Sequence, residues 1–270
     1  MKCIWCHNPE GISFTPQMAY HAHKCIRCGE CQKVCPVGAQ RIHATEHVFD
    51  RSICIACGAC EKVCLGNAMK LYGLILTVND ALSLALEDHV FYRDTGGVTL
   101  SGGEPLLQAD FAAELLRCLK DENVHTAVDT CGMVPWRSFE KVQPYTDMFL
   151  YDIKHINPER HRELTGQTND LILENLQKLA KTGKTIEIRM PLVPGCNDDL
   201  YTLHAIGQLL SSLPISRMRV LPYHALARSK YESLGCQDTM PKVLSPSDEA
   251  LSIAVSILKT HGVPAVSGRD

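Results

Sequence analysis

A doubled cysteine motif constrains this chain more than any other feature of its sequence. The pattern C-x2-C-x2-C-x3-C occurs at Cys25, Cys28, Cys31 and Cys35, and again at Cys54, Cys57, Cys60 and Cys64. Two [4Fe–4S] cubes require eight thiolates at this spacing, whereas a zinc site needs only four. We therefore expect the two copies of the motif to bind two iron–sulfur cubes.

The spacing also predicts which cysteines share a cube. Each three-cysteine run folds its loop around one cube, and the fourth cysteine reaches across to ligate the other. Cys64 then completes the site of the first run, and Cys35 completes that of the second. Two zinc knuckles or a disulfide knot are the alternatives, but neither demands a fourth cysteine three residues on. Matching residues between the ligands, such as Gly29 and Gly58, predict two pseudo-symmetric halves.

Composition limits the remaining classes of protein. The 270 residues, of which 45% are hydrophobic, suffice for one large domain and a small insert. A net charge of −3 without a basic block argues against a nucleic-acid partner. Fourteen cysteines without an apolar leader favour a reducing compartment, and no apolar run is long enough to cross a membrane. We expect a cytoplasmic protein without a membrane or nucleic-acid partner.

After the cysteine-rich segment, short apolar runs alternate with amphipathic segments. The runs predicted as buried parallel strands are 98–100, 126–128, 148–151, 185–188 and 217–221. The segments predicted as helices are 78–87, 109–121, 170–182, 200–212 and 247–261, with Asp170 and Ser247 as N-caps. This alternation predicts an α/β fold with a partial (β/α)6 barrel of TIM type, in which the polar residues that follow the strands share one mouth.

Polar residues follow all five predicted strands. In chain order they are Ser101-Gly102-Gly103-Glu104-Pro105, Asp129-Thr130-Cys131-Gly132, Asp152-Ile153-Lys154, Arg189 and Pro222-Tyr223-His224. Paired glycines let a backbone approach a ligand closely, and Glu104 offers a carboxylate to an ammonium group. Asp129, Asp152 and Lys154 supply fixed charges for a polar cofactor. A salt bridge at the barrel rim is the alternative for each charged residue taken singly, but five strand ends in register favour a site.

The first residues, Cys3-Ile4-Trp5-Cys6-His7-Asn8-Pro9-Glu10, resemble the back half of the C-x3-C-x2-C loop of radical S-adenosylmethionine (SAM) enzymes. The form C-x2-C-H-N-P is that of glycyl radical enzyme activating enzymes. A C-x2-C pair alone is shared by zinc sites and redox dithiols. Here it precedes five further motifs in the family's order, at 101–105, 129–132, 152–154, 193–195 and 221–224. The twin-cluster insert also matches this family, whose pyruvate formate-lyase activase branch lacks it.

The resemblance implies an architecture and a reaction. It implies a radical SAM partial barrel at 72–270 that lacks its first strand, a ferredoxin-like insert at 22–71 and a remnant of the cluster loop at 1–21. One of three [4Fe–4S] cubes, ligated by Cys3 and Cys6, would bind SAM on its open iron. With an electron from a flavodoxin- or ferredoxin-type reductant, SAM yields a 5′-deoxyadenosyl radical that takes hydrogen from a backbone glycine of a partner, a glycyl radical enzyme.

The resemblance also implies nine residues around SAM, namely Gly102, Gly103, Glu104, Asp129, Thr130, Asp152, Lys154, Arg189 and His204. The first three hold the methionyl amino group. The next three lie near its carboxylate, where a monovalent cation is a further candidate. The last three contact the remaining polar atoms.

One feature departs from the family pattern. The first cysteine of C-x3-C-x2-C belongs four residues before Cys3, ahead of Met1. A cube that keeps one iron open requires three thiolates. We expect that Met1 is an internal methionine taken as a start, because the downstream motifs are intact; an inactive copy is the alternative. A substitute ligand in His7 or His23 is less favoured.

Other functions stay open at this point. The chain could act as an electron-transfer protein in which only the ferredoxin-like cubes work, or as a radical SAM enzyme with a different peptide or small-molecule substrate. The cubes of the insert could form an electron path or a rigid docking surface. The remaining cysteines, Cys118, Cys131, Cys196 and Cys236, lack partner spacing and are not predicted as ligands.

Overall fold

The computed structural model describes residues 1–93, 95–240 and 242–268. The strands in these residues are β1 (Gln17–Tyr20), β2 (Gln40–Ile42), β3 (His47–Phe49), β4 (Met69–Tyr72), β5 (Val98–Leu100), β6 (Thr126–Thr130), β7 (Met148–Asp152), β8 (Thr185–Leu192), β9 (Arg217–Pro222) and β10 (Ala265–Ser267). The α-helices are α1 (Glu30–Val34), α2 (Ala59–Lys62), α3 (Val78–Leu86), α4 (His89–Tyr92), α5 (Ala109–Asp121), α6 (Trp136–Val142), α7 (Pro158–Thr165), α8 (Asp170–Ala180), α9 (Leu200–Leu210), α10 (Arg228–Leu234) and α11 (Asp248–Thr260). No helix in the described ranges has both the length and the apolar character needed to cross a membrane.

The chain divides into two compact units. The first comprises Met1–Trp5, Leu76–Ala225 and Lys242–Asp270, and the second comprises Cys6–Ile75 and Leu226–Pro241. The second unit is therefore larger than the predicted insert, because it takes in the residues after Trp5 and a late segment that contains α10.

Six parallel strands form the sheet of the first unit, in the order β10-β9-β8-β7-β6-β5. With helices between successive strands this is an α/β partial barrel, as the alternation predicted. All five predicted strands are present, and β8 extends to Leu192, four residues beyond its predicted end. β10 was not predicted, because a strand of three residues is too short to show a period.

One face of this sheet is apolar. Phe149, Tyr151, Ile186 and Ile188 on β7 and β8 are 0% exposed and alternate with partly exposed residues. Such period-two burial is what a strand with one covered face produces. The buried side chains join those of α5, α8, α9 and α11 in one core.

The other face of the sheet is polar. Asp129 on β6 is in register with Leu150, and Asp152 on β7 is in register with Arg189 on β8. Residues in register on neighbouring strands, and residues two apart on one strand, point to the same side. The register therefore places Asp129, Asp152 and Arg189 on one face, near the carboxyl ends of their strands.

The predicted helices are present, with small differences at their ends. α5 has the predicted bounds, whereas α8 and α9 each end two residues early. Ser247 is confirmed as the N-cap of α11, because its side chain accepts a hydrogen bond from the amide of Ala250. Asp170 is not an N-cap: Asn169 occupies that position, and Asp170 is the first residue of α8.

The second unit contains two antiparallel strand pairs, β1 with β4 and β2 with β3, together with α1 and α2. Gly29 and Gly58 precede α1 and α2 with φ of 84° and 76°, a left-handed conformation that favours glycine. The two copies of the cysteine motif thus share a left-handed glycine directly before the helix. Arg51 ties the late segment to this unit, since its Nη2 donates to the Ser233 carbonyl at 2.6 Å.

Gly132 offers a direct test of the packing behind the sheet ends. It has φ of +73°, and an added Cβ would lie 1.9 Å from the Tyr151 hydroxyl, which is fixed by a 2.7 Å hydrogen bond to the Ile172 carbonyl. We expect Gly132→Ala to lower the free energy of unfolding by about 3 kcal/mol, from backbone strain and overpacking together.

The matched control is Gly183→Ala. Gly183 has φ of +75° but open space around the added Cβ, so its variant carries only the backbone strain. Urea unfolding of both variants measures the difference. Equal destabilisation would contradict the packing described for Gly132.

Candidate active site

Asp129 lies at the centre of a polar group on the polar face of the first unit. Its Oδ2 accepts hydrogen bonds from Ser101 Oγ at 3.1 Å and from Arg189 Nη1 at 2.8 Å. Burial and the nearby Asp152 carboxylate raise the pKa of Asp129, while Arg189 opposes that effect. A carboxylate in this position favours additional positive charge nearby.

Lys154 is the buried cation of the same group. Its side chain is 9% exposed, and its Nζ donates to Asp152 Oδ2 at 2.5 Å. Burial opposes the charge on Lys154, but the Asp152 carboxylate and the nearby Cys3 and Cys131 raise its pKa above the usual value. The structure therefore places the predicted cluster ligand Cys3 within electrostatic range of Lys154.

Two backbone hydrogen bonds position Cys3 in the first unit. The amide of Lys2 donates to the Thr165 carbonyl at 2.9 Å, and the amide of Ile4 donates to the Leu164 carbonyl at 3.0 Å. The chain around Cys3 thus lies against the end of α7.

Cys6 is held within the second unit. Tyr231 on α10 donates its hydroxyl hydrogen to the Cys6 carbonyl at 3.0 Å. Lys230 binds Glu10 at 2.6 Å and the Asn8 side-chain oxygen at 2.9 Å. The residues of the C-H-N-P-E segment are thus held by α10, a connection that the sequence did not predict.

Glu104 is fixed at the end of β6. Its Oε1 accepts from Thr130 Oγ1 at 2.8 Å and from the Leu106 amide at 3.1 Å, and its Oε2 accepts from the Cys131 amide at 2.8 Å. Thr130 is buried and so supports Glu104 from behind the site. Oε1 already accepts two hydrogen bonds, whereas Oε2 keeps acceptor capacity for a ligand ammonium group.

Gly102 and Gly103 form an exposed turn before Glu104. Gly102 has φ of +125°, which favours glycine, and no atom lies within 4 Å of an added Cβ. A ligand can therefore approach this backbone directly, as the paired glycines predicted.

Two buried asparagines hold the loops around this site, and the sequence analysis missed both. Asn197 is 0% exposed; its Nδ2 donates to the carbonyls of Lys154 at 2.9 Å and Pro191 at 2.7 Å, and its Oδ1 accepts from the Val193 amide at 2.8 Å. Asn175 donates to the Gly132 carbonyl at 2.9 Å. For Asn175, the signal available in the sequence was an asparagine among the apolar residues of α8.

We expect Asn197→Leu to weaken both the fold and the site. It leaves two buried carbonyls and one amide without partners, which costs about 3 kcal/mol of unfolding free energy in total. It also releases the backbone of Lys154, so binding of SAM should weaken. Urea unfolding and equilibrium binding of SAM measure the two effects. The control is Asn157→Ala, which removes an exposed helix cap. It should lower the free energy of unfolding by about 1 kcal/mol without a change in SAM binding. Equal effects at both positions would contradict the role of Asn197 in supporting the site.

The sequence did not predict a second ion pair, which lies on the polar face. Glu187 on β8 binds Arg219 on β9, with Nε 3.2 Å from Oε1. In both strands, charged residues alternate with buried apolar residues, and this period of two was the signal available in the sequence. The polar face is therefore broader than the predicted site.

His204 is not part of this group. It is exposed on α9, and its Nδ1 lies 3.0 Å from Nε2 of His261. The prediction placed it at SAM from the family resemblance alone. Seven of the other eight predicted residues lie at or just beyond the ends of β5, β6 and β7, and Arg189 lies within β8.

Arg189 has an unused donor in the site. Its Nε is buried and has no hydrogen-bond partner among the residues that the structure describes. A buried donor of this kind is costly unless a ligand completes it. The polar face therefore fits a ligand that carries a carboxylate or another anionic group.

Two cavities lie among the cysteines of the second unit. Cavity A, of about 310 Å³ with its open side included, is lined by Cys25, Cys28, Cys31 and Cys64. Cavity B, of about 280 Å³ on the same measure, is lined by Cys35, Cys54, Cys57 and Cys60. The structure thus brings together the two sets of cysteines that the spacing had paired.

The cysteines surround these cavities without converging on a point. Across the described ranges, no three His, Cys, Asp or Glu side chains are arranged to hold a single metal ion. Zinc requires four ligands that converge at about 2.3 Å, whereas a cube attaches its thiolates to four separate irons. Four cysteines line each cavity, as the four irons of a cube require.

Comparison with known proteins gives the family. The model of the Radical SAM superfamily matches residues 1–204. The chain is 38% identical to the trans-4-hydroxy-L-proline dehydratase activating enzyme of Clostridioides difficile, over 93% of this chain and 84% of that protein. It is 35% identical to the indoleacetate decarboxylase activating enzyme of Tractidigestivibacter scatoligenes, over 98% and 88% of the two chains.

A solved structure supports the same conclusion. A domain of pyruvate-formate lyase-activating enzyme from Bacteroides vulgatus is 29% identical, with a TM-score of 0.55, and the match covers 64% of this chain and 98% of that chain. The partial barrel and the superfamily match define a radical SAM enzyme. The chain belongs to the glycyl radical enzyme activating enzymes within that superfamily, as the resemblance at Cys3 to Glu10 implied.

The family settles the class of partner but leaves other predictions open. The protein activates a glycyl radical enzyme, whereas its relatives are named for several different ones. The matches give no support to the alternative of an inactive copy. The individual ligand residues and the predicted limits of the insert stay predictions.

Proposed function

We propose that this protein cleaves SAM and places a radical on a backbone glycine of its partner, with one [4Fe–4S] cube at the Cys3–Cys6 loop and two more in cavities A and B. The observation that carries the proposal is the position of Lys154. It is buried against Asp152 and lies in the field of Cys3, so it links the predicted cluster loop to the polar face of the barrel.

The groups to be bound supply the redox chemistry. With SAM and an electron from a flavodoxin- or ferredoxin-type protein, the cube at Cys3 and Cys6 supplies reductive cleavage to methionine and a 5′-deoxyadenosyl radical, which abstracts hydrogen from the glycine. The residues of this chain supply the binding, the orientation and the exclusion of water.

The residues at the mouth divide between the two ends of the methionyl group. Gly102, Gly103 and Glu104 present backbone and carboxylate to the amino group. The free Nε donor of Arg189 suits the methionyl carboxylate. Asp129 and Asp152 would repel that carboxylate unless a cation lies between them, which is the physical reason to propose a monovalent cation there.

Two features of the chain support cubes in the second unit. The cysteines line cavities A and B in the sets predicted from spacing, and the glycines before α1 and α2 give both loops the same backbone conformation. We propose that Cys25, Cys28, Cys31 and Cys64 ligate one cube, and that Cys35, Cys54, Cys57 and Cys60 ligate the other.

Release of 5′-deoxyadenosine tests the proposal. The protein, prepared with a cysteine four residues before Cys3 as the third thiolate, is loaded with iron and sulfide under anaerobic conditions and given dithionite and SAM. We expect 5′-deoxyadenosine and methionine in equal amounts, and none from a Cys6→Ala variant. An electron-transfer protein would contain iron but release no 5′-deoxyadenosine, and that result would contradict the proposal.

A further inference from the structure

The sequence repeat relates cavity A to cavity B, but the wall residues differ at two corresponding positions. Each residue of the first copy corresponds to the residue 29 positions later in the second. Met18 therefore corresponds to His47, and Gln40 corresponds to Met69. Cavity A is lined by His47 and Met69, whereas cavity B is lined by Met18 and Gln40. Each cavity therefore has one methionine and one polar residue, but the two residue types exchange positions between the cavities.

The two polar residues contact each other and a cysteine of each cavity. Gln40 Oε1 lies 2.7 Å from His47 Nε2, and Gln40 Nε2 lies 3.9 Å from Cys60 Sγ in cavity B. His47 Nδ1 lies 3.4 Å from Cys25 Sγ in cavity A. Gln40 is 1% exposed, so water does not replace these contacts.

The chemistry of each partner sets the direction of these hydrogen bonds. A ligated cysteine sulfur only accepts, so Gln40 turns its N–H toward Cys60. Its carbonyl oxygen then accepts from His47 Nε2–H at 2.7 Å, a shorter distance than the 3.8 Å from Nε2 to Cys31 Sγ. A neutral imidazole with its hydrogen on Nε2 presents a lone pair at Nδ1, and this atom faces Cys25.

We propose that Gln40, held in orientation by His47, makes the two cubes of the second unit unequal in reduction potential, so that the cube in cavity B is reduced first. This inference rests on the proposed function, in which both cavities hold cubes. Reduction adds one electron, here from dithionite, to a cube without forming or breaking a bond. The N–H donor at Cys60 stabilises the added negative charge, whereas the lone pair at Cys25 does not.

The pseudo-symmetry supplies the variants for a test. Gln40→Met gives cavity B the residue that the repeat carries in cavity A, with a similar side-chain volume. Met69→Leu is the control, because it changes the matching wall of cavity A without removing a donor. Both variants are prepared as the fully loaded protein.

A redox titration followed by EPR spectroscopy measures the effect. We expect two one-electron steps in the parent protein from the cubes of the second unit. In Gln40→Met the reduction potential of the upper step should fall by about 59 mV. For one electron this corresponds to a tenfold change in the ratio of reduced to oxidised cube. The lower step should stay in place, and Met69→Leu should move neither. Titrations with and without SAM identify the step of the third cube, which responds to this ligand.

Two further variants keep the inference falsifiable if Gln40→Met fails to assemble. Met69→Gln adds a donor to cavity A and should raise the lower step. His47→Met removes the group that orients Gln40 and should lower the upper step. A fall of the lower step in His47→Met would instead mean that His47 donates to Cys25, and it would overturn the inference.

Iron content distinguishes a failure of the proposed cubes from a failure of the role proposed for Gln40. If the parent protein holds less than about eight irons in the second unit, the proposed cubes are wrong. If the iron content is complete and Gln40→Met leaves the upper step unchanged, only the role of Gln40 is wrong. Neither readout depends on turnover of SAM.

Discussion

Replacing Lys154 by methionine is expected to reduce SAM cleavage about 100-fold or more, which is the usual effect of removing one preorganised charged donor from an active site. Lys154 Nζ lies 2.5 Å from Asp152 Oδ2, and Asp152 in turn raises the pKa of Asp129 along with burial. Without the ammonium group, two neighbouring carboxylates lose their nearest buried cation. The rate of 5′-deoxyadenosine release, measured anaerobically with saturating dithionite, gives the effect.

The matched control for this prediction is Lys120→Met. Lys120 also pairs with an aspartate, since its Nζ lies 2.9 Å from both carboxylate oxygens of Asp147. That pair sits at the start of β6 and β7, at the opposite end of the sheet from the proposed site. We expect Lys120→Met to retain most of the activity. If both variants lose activity equally, Lys154 acts only through stability.

Removal of Cys64 is expected to eliminate the cube in cavity A, although Cys64 follows the second three-cysteine run in the sequence. Cys64 lines cavity A together with Cys28. Cys64→Ala and Cys28→Ala should therefore each lose about four irons and the same EPR signal. Cys35→Ala and Cys57→Ala, which both line cavity B, should lose the other signal.

Cys118→Ala is the control for these cysteine variants. Cys118 lies on α5 in the first unit, where Arg117 Nη2 contacts its sulfur at 3.6 Å. We expect no loss of iron from this variant. Should Cys64→Ala resemble Cys57→Ala in its spectrum, the crossed pairing of the fourth cysteines would be wrong.

The sequence predicted the sheet well because its signals are local. A buried parallel strand is a short continuous apolar run, and Val98–Leu100 or Met148–Asp152 can be recognised without knowledge of the rest of the chain. β10 escaped prediction because Ala265–Ser267 has no period of its own and is defined by its pairing with β9. The N-cap of α8 was misplaced by one residue, since Asn169 and Asp170 are both acceptable capping residues.

The polar residues near the strand ends could be recognised from the sequence, whereas the long-range contacts among them could not. Asp129 and Arg189 were recognisable as polar residues after apolar runs, but their 2.8 Å ion pair joins residues far apart in sequence. Asn197 supports Lys154 through a backbone carbonyl, and no sequence pattern encodes such a contact. His204 was a prediction from the family resemblance, and in the structure its side chain contacts His261.

The spacing grouped the same cysteines that line cavities A and B together. The grouping follows from the two-cluster ferredoxin motif, in which the fourth cysteine of each run ligates the other cube. The walls of the cavities were beyond prediction at that stage. Gln40 and His47 are seven residues apart on paired strands, and their contact depends on the register of β2 with β3.

Transfer of hydrogen from glycine to SAM-derived product tests the central claim most directly. A glycyl radical enzyme from the same cell is labelled with deuterium at its glycine α-carbons and mixed anaerobically with the loaded activating protein, SAM and dithionite. We expect deuterium in the 5′-deoxyadenosine and an EPR signal of a glycyl radical on the partner. Formation of 5′-deoxyadenosine without deuterium, for every glycyl radical enzyme of that cell, would contradict the proposed hydrogen transfer.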